Sequence, residues 1–132
     1  MSTVAKFQFD TLRPKTILIV DEEPASRSNV VQLLKDEGYE VHLADNGQAA
    51  IDLIDRIAFA VVITSLRLNG DVSGIDILMH HELVSPGAGK ILMTDFISKK
   101  VQYVANFLSA MCVPTEIPAN ALLDSIKSPL RS

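Results

Sequence analysis

Five short apolar runs divide the chain, and a polar turn follows each of them. The first run, residues 16–20 (TILIV), is continuous. Continuous apolar runs are typical of parallel strands that are covered on both faces. We therefore predict five strands, at residues 16–20, 40–44, 59–64, 90–94 and 112–114.

The stretches between these runs carry apolar residues at the 3.6-residue spacing of a helix. The first predicted helix has Val30, Leu33 and Leu34 on one side and closes at Gly38. The third begins at Gly74. The predicted core stripes of the second and third helices are Ala50, Ile51, Ile54 and Ile57, and then Ile75, Leu78, Met79 and Leu83.

Residues 97–111 are the longest helix candidate, and their apolar positions fall into two stripes. Val101, Val104, Ala105 and Leu108 form the stripe that we expect to face the core. The apolar arc covers more than half of the helix, which is wider than packing on one side needs. The second stripe consists of Tyr103, Phe107, Ala110 and Met111. A fifth helix is predicted to begin at Pro118 and to end at Pro129.

Alternation of five strands and five helices predicts a doubly wound α/β domain with a parallel sheet. We assign residues 1–15, with Phe7 and Phe9, to an N-terminal extension, residues 16–128 to the domain, and residues 129–132 to a tail or the start of a linker. In such folds, ligands bind at the carboxyl ends of the strands. The candidate site residues at these ends are Asp21, Glu22, Ser65, Thr94, Asp95, Thr115 and Glu116.

Composition narrows the classes of protein to which the chain can belong. Of its 132 residues, 48% are apolar and 21% charged, which excludes a disordered chain. A net charge of −4 argues against binding of nucleic acid or of an anionic membrane by this domain. Cys112 is the only cysteine, so a disulfide scaffold is excluded. The longest strongly apolar run has about ten residues, too few to span a bilayer. We expect a cytoplasmic protein.

Four segments together resemble the receiver domain of bacterial two-component response regulators. They are ILIVDEEP (17–24), GYEVHLADNGQAAIDLI (38–54), SLRLNGDVSGIDIL (65–78) and ILMT (91–94), and the resemblance extends over roughly residues 15–128. It implies a flavodoxin-like (βα)5 fold with the strand order 2-1-3-4-5.

The resemblance also implies roles for the residues at the strand ends. In that family, an acidic pair after the first strand binds Mg²⁺, and an aspartate after the third strand accepts a phosphoryl group from a histidine kinase. A threonine or serine after the fourth strand contacts the phosphoryl oxygens, and a lysine after the fifth pairs with the phosphate. Asp21 and Glu22 match the acidic pair, and Thr94 matches the hydroxyl position.

Two of the family's positions are changed in this chain. Ser65 stands where the acceptor aspartate is usual, and Thr115 or Glu116 stands where the lysine is usual. An un-ionised serine without an adjacent base does not attack a phosphohistidine. The loss of one carboxylate also weakens the Mg²⁺ site. We therefore expect a pseudo-receiver that is not an enzyme, with no cofactor beyond residual weak Mg²⁺ at Asp21 and Glu22.

Arg67 and two histidines carry further expectations. The Arg67 guanidinium either folds over Asp21 or Glu22 as a counter-charge in place of the metal, or it is an ordinary surface arginine. His80 and His81 have no further metal ligands at suitable spacing, and we expect both to be exposed to solvent.

We expect the domain to act by phosphorylation-independent contact with a protein partner or a second copy. The expected face comprises the fourth helix, the fifth strand and the fifth helix, with Tyr103, Phe107 and Met111. The alternative is a Mg²⁺-dependent receiver that is phosphorylated on Asp71 or Asp95. A small-ligand sensor or enzyme ranks last, because the loop after the first strand is acidic and not glycine-rich. The chain is either a stand-alone protein or the N-terminal part of a regulator whose unseen C-terminal output domain could bind DNA.

Overall fold

The computed structural model describes residues 15–130, with side chains up to residue 127. Residues 1–14, including Phe7 and Phe9, and residues 131–132 lie outside the described part of the chain. The strands are β1 (Thr16–Val20), β2 (Glu40–Ala44), β3 (Val61–Ser65), β4 (Gly89–Met93) and β5 (Met111–Val113). A 3₁₀ helix (Pro24–Arg27) precedes α1 (Ser28–Asp36), and the later helices are α2 (Gly47–Arg56), α3 (Gly74–Val84), α4 (Lys99–Leu108) and α5 (Ala119–Leu130).

All five strands are parallel and lie in the order β2-β1-β3-β4-β5, which confirms the predicted fold class. Their carboxyl ends are in register: Val20 lies opposite Thr64 and Ala44, and Met93 lies opposite Ser65 and Val113. The residues that follow β1, β3, β4 and β5 are therefore brought to one edge of the sheet.

Helices cover both faces of the sheet, which explains why the strands are continuously apolar. Ile17 and Ile19 face α1 and α5, whereas Leu18 and Val20 face α2, α3 and α4. None of the helices within residues 15–130 is long and apolar enough to cross a membrane.

Several predicted boundaries are wrong by one to three residues. β3 begins at Val61 and β4 begins and ends one residue earlier than expected. The helix expected over 97–111 is only ten residues long, because Ser98 caps its first turn and Ser109 adopts a left-handed conformation (φ 57°) that ends it. Met111 consequently lies in β5 and not on α4. α5, with 12 residues, is longer and continues one residue past Pro129, so the proline lies in its last turn.

The predicted core stripe of α3 is correct for Leu78, which is buried, and for Ile75, which packs against the core, and it is wrong for Met79 and Leu83. Its buried positions are Gly74, Ile77, Leu78 and His81, whereas Met79 is 48% and Leu83 is 81% exposed. The reason is a close contact at the first turn: a Cβ atom on Gly74 would lie 2.2 Å from the carbonyl oxygen of Ser65. This contact presses Gly74 against the sheet and so turns the positions three, four and seven residues later inward.

His81 is fully buried, contrary to the expectation of solvent exposure. Its Nε2 lies 3.2 Å from the carbonyl oxygen of Phe59, and its Nδ1 has no hydrogen-bond partner within the described residues. Burial lowers the pKa of His81 to about 4. The charge of nearby Lys90 also lowers this pKa, whereas the hydrogen bond to the Phe59 carbonyl raises it. His80 is half-buried, with its Nε2 2.7 Å from Asp55 Oδ1.

We predict that the free energy of unfolding falls as the pH is lowered from 6.5 to 4, in part because of His81. In this window the unfolded chain binds a proton at His81 and the folded chain does not, so the folded state loses up to about 3 kcal/mol relative to the unfolded state. Urea denaturation at several pH values across this range should show that the free energy of unfolding falls less steeply with decreasing pH in His81→Gln than in the wild type. Met79→Gln, on the exposed side of the same helix, is the control, and its free energy of unfolding should depend on pH as that of the wild type does. The same pH dependence in all three proteins would contradict the prediction.

Candidate functional site

The edge formed by the strand ends holds most of the predicted site residues. Ser65, Thr94, Asp95 and Thr115 line one cavity of ≈ 380 Å³. The other residues that line it are Leu66, Arg67, Met93 and Phe96. Glu22 and Glu116 are exposed and are not among the residues that line it.

Asp21 directly follows β1, and its carboxylate is bonded within the protein. Its Oδ1 accepts a hydrogen bond from the backbone N–H of Glu23 at 3.0 Å, and its Oδ2 accepts one from Arg27 Nε at 2.8 Å. The two side chains of this ion pair are only 13% and 9% exposed, respectively. Because little water competes for the charges, the bond between them is a strong charge-assisted one.

Arg27 also reaches across the edge of the sheet to the loop after β5. Its Nη1 donates to the carbonyl oxygen of Thr115 at 2.7 Å, and the Thr115 N–H donates to Asp95 Oδ1 at 2.9 Å. These bonds form a continuous chain, Asp21–Arg27–Thr115–Asp95. We call this chain the Arg27 bridge.

The arginine that pairs with Asp21 is therefore Arg27 and not Arg67. Arg67 is exposed and contributes to the wall of the cavity. A signal for Arg27 was present in the sequence, since Arg27, Val30 and Leu34 are spaced at i, i+3 and i+7. That spacing places Arg27 on the buried side of the helical stretch, where a charged side chain needs a partner.

The hydroxyl group of Thr94 is engaged by its own loop. Thr94 Oγ1 donates to the carbonyl oxygen of Phe96 at 2.9 Å and accepts from the Phe96 N–H at 3.1 Å. The side chain is buried. The threonine therefore closes the turn that follows β4, and its hydroxyl group already has both a donor and an acceptor there.

Within residues 15–127, no group of three or more acidic, histidine or cysteine side chains that could hold a metal ion is found. Asp21 is neutralised by Arg27, and Glu22 is exposed. Asp71 lies in a separate hollow with Asn46 and Asn69, so Asp95 is the only one of the two alternative acceptors at the strand-end cavity.

The residues of the predicted partner face are divided between two environments. Tyr103 and Phe107 on α4 are 73% and 78% exposed. Met111 is half-buried against the core that α1 and α5 cover. Sequence reasoning missed Phe96, which is 81% exposed in the loop three residues before α4.

A profile of the response regulator receiver domain matches residues 17–112. The chain belongs to this family. The family predicted from the sequence is thus confirmed, and the strand-end edge described above is that of a receiver domain.

Individual relatives agree with the family assignment. The response regulator receiver protein Anae109_2439 of Anaeromyxobacter sp. (strain Fw109-5) is 27% identical over 104 residues, which are 76% of this chain and 43% of that protein. The probable transcriptional regulatory protein TcrX of Mycobacterium tuberculosis is 34% identical over 82 residues, 62% of this chain and 35% of that protein. The receiver domain spans less than half the length of these relatives.

Among solved structures, a response regulator receiver domain protein (CheY-like) from Methanospirillum hungatei JF-1 superposes with a TM-score of 0.82 at 28% identity. The match covers 90% of this chain and 95% of that one.

We predict that Arg27→Met lowers the free energy of unfolding by roughly 3–5 kcal/mol, because it leaves the Asp21 carboxylate without its counter-charge in a mostly buried position. Arg67→Met removes the same charge from an exposed side chain, and its effect should stay within about 0.5 kcal/mol. Urea denaturation of the two variants measures both values. A larger loss in Arg67→Met than in Arg27→Met would contradict the assignment of the ion pair.

Proposed function

We propose that this receiver domain is a pseudo-receiver that acts in signal transduction by phosphorylation-independent protein contact. The observation that carries the proposal is the composition of the strand-end edge. A serine ends β3 where the family resemblance expects an acceptor aspartate, and the carboxylate after β1 is neutralised by the protein's own Arg27.

The chemistry at this edge does not favour phosphoryl transfer to Ser65. A serine hydroxyl needs an adjacent general base to become a nucleophile, and the carboxylate of Asp95, in the same cavity, accepts a hydrogen bond from the Thr115 backbone. Stabilisation of the transferring phosphoryl group needs a cation. Thr115 and Glu116 supply none where the family has a lysine. We assign the domain no catalytic activity and at most weak Mg²⁺ binding.

The second candidate function is a Mg²⁺-dependent receiver that is phosphorylated on a substitute carboxylate. Asp95 is favoured over Asp71 as this substitute, because it lies in the strand-end cavity. One Asp95 oxygen accepts the Thr115 N–H, so phosphorylation there would compete with this bond.

The exposed side of α4 supports protein contact as the mode of action. Three of the five phenylalanine and tyrosine residues in the described part of the chain lie exposed on this helix or in the loop three residues before it: Phe96, Tyr103 and Phe107. Clustered exposed aromatic residues are typical of protein interfaces. Lys99 and Lys100 are exposed at the start of the same helix. We propose that this surface binds a protein partner or a second copy, in the cytoplasm.

An output domain beyond this chain is a further part of the proposal. The relatives are longer than this domain, and one of them is named a probable transcriptional regulatory protein. Any DNA binding would reside in such a domain, because the net charge of −4 disfavours contact of the receiver domain with a phosphate backbone.

Incubation with acetyl phosphate and Mg²⁺, followed by intact-mass measurement, tests the absence of phosphorylation. We predict no phosphoryl adduct, because a serine stands at the position of the family's acceptor aspartate and neither Thr115 nor Glu116 replaces the family's lysine. An adduct that hydroxylamine removes would be an aspartyl phosphate and would contradict the pseudo-receiver proposal. Asp95→Asn and Asp71→Asn would then identify the acceptor, because the adduct should disappear in only one of them.

Replacement of Tyr103 and Phe107 by serine tests the proposed interface. We predict that Tyr103→Ser/Phe107→Ser loses association while its unfolding midpoint stays close to the wild-type value, because both side chains are mostly exposed. Gln102→Ser/Asn106→Ser changes exposed polar residues of the same helix and is the matched control.

Two measurements identify what binds at this surface. Sedimentation velocity over a range of concentrations reports a second copy, and photo-crosslinking from position 107 followed by mass spectrometry reports a different protein. In either measurement, equal association by the aromatic and the control variants would place the interface elsewhere.

A further inference from the structure

We infer that the Arg27 bridge is a latch that sets the position of the loop between β5 and α5 relative to the end of β1. The inference goes beyond the proposed function and does not depend on it, because it concerns an internal contact that exists whether or not the domain accepts a phosphoryl group.

Arg27 joins two parts of the chain that are far apart in sequence. Its Nε contacts the Asp21 carboxylate six residues upstream, and its Nη1 contacts the Thr115 carbonyl 88 residues downstream. A planar guanidinium group can make both bonds at once in a fixed geometry, whereas a lysine ammonium group is a single point charge. The Arg27 side chain is only 9% exposed, so water competes little for either contact.

One end of the latch is anchored in the sheet. The backbone N–H of Asp21 donates to the carbonyl oxygen of Ala44 at 3.1 Å, which continues the pairing of β1 with β2. The Asp21 side chain is oriented further by the N–H of Glu23. The carboxylate that holds Arg27 is therefore fixed by the central strand and by the turn that follows it.

The other end of the latch is the short connection between β5 and α5, which is also held by a turn bond from the Ile117 N–H to the Pro114 carbonyl and by packing of Ile117 against the core. β5 has three residues, and α5 begins at Ala119. The backbone of Thr115 is bonded to two side chains from distant parts of the chain: its carbonyl accepts from Arg27 and its N–H donates to Asp95. Around Thr115, the position of this connection is thus set by two side chains in addition to its own turn and the packing of Ile117.

The latch also reaches the loop that carries the exposed aromatic residue Phe96. Asp95 precedes Phe96, and the backbone of Phe96 is bonded to the Thr94 hydroxyl. A change at Arg27 should accordingly alter the loop after β4 as well as the loop after β5. The hydrogen bonds of the Arg27 bridge thus extend from the strand-end edge to the loop before α4, next to the exposed side chain of Phe96.

Amide hydrogen exchange, measured residue by residue by NMR, tests the latch. In Arg27→Met, the Thr115 N–H keeps Asp95 as its acceptor, but the connection loses the charge-assisted bond at the Thr115 carbonyl and should open more often. We expect the Thr115 amide to exchange roughly tenfold faster than in the wild type, since one such bond corresponds to about that factor in the opening equilibrium. The amides of Ile19 and Ile63 in the central strands report global unfolding. Lys127→Met is the control, because it removes the same charge from the exposed ion pair with Glu37. It should leave Thr115 unchanged.

A double variant separates the latch from a contribution to stability alone. Arg27→Met/Asp21→Asn removes the uncompensated carboxylate, so the exchange rates of the central-strand amides should return toward the wild-type values. The Thr115 carbonyl still lacks the hydrogen bond from Arg27 in this variant. Exchange of the Thr115 amide should therefore remain fast. If Thr115 returns to the wild-type rate together with Ile19, Arg27 only compensates a buried charge, and the inference is overturned. The double variant also keeps the test valid if Arg27→Met alone does not fold.

Discussion

The register of the parallel sheet is the constraint on which the other features depend. Because β1, β3, β4 and β5 end at the same level, the residues that follow them are brought together although they are far apart in the chain. Helices on both faces bury the strands, so a shift of one residue would expose an apolar side chain or bury a polar one. The edge that carries Asp21, Ser65, Thr94 and Thr115 is thus a direct consequence of how the core is packed.

A mostly buried carboxylate at this edge requires a positive charge, and the chain supplies it internally. Transfer of an unpaired carboxylate out of water is strongly unfavourable, so a partner such as Arg27 is needed wherever no metal is bound. The same guanidinium group also donates a hydrogen bond to the Thr115 carbonyl. Arg27 therefore both neutralises Asp21 and positions the connection between β5 and α5. An edge that in the family serves a cation and a phosphoryl group is here connected by the protein's own side chains.

Close packing at one glycine determines which apolar residues are exposed on α3. Gly74 lies so close to the Ser65 carbonyl that no side chain fits, and this contact turns His81 inward and Leu83 outward. A left-handed residue, Ser109, ends α4 early and directs Met111 into the sheet, which leaves Tyr103 and Phe107 as the exposed pair on that helix. The surface available to partners is thus set by local backbone geometry as much as by hydrophobic content.

The sequence by itself determined the order of the elements, the fold class, the family and the strand-end location of the site. These features follow from repeated signals, namely buried runs, helical spacing, and polar residues directly after strands, and each signal extends over many residues. The tertiary structure alone decided that Arg27 rather than Arg67 pairs with Asp21, that His81 is buried, and that Met111 belongs to β5. Each of these depends on the rotation of one helix or the reach of one long side chain. Spacing along the chain indicates that Arg27 lies on a buried side, but the partner of each such side chain is set by contacts between distant segments.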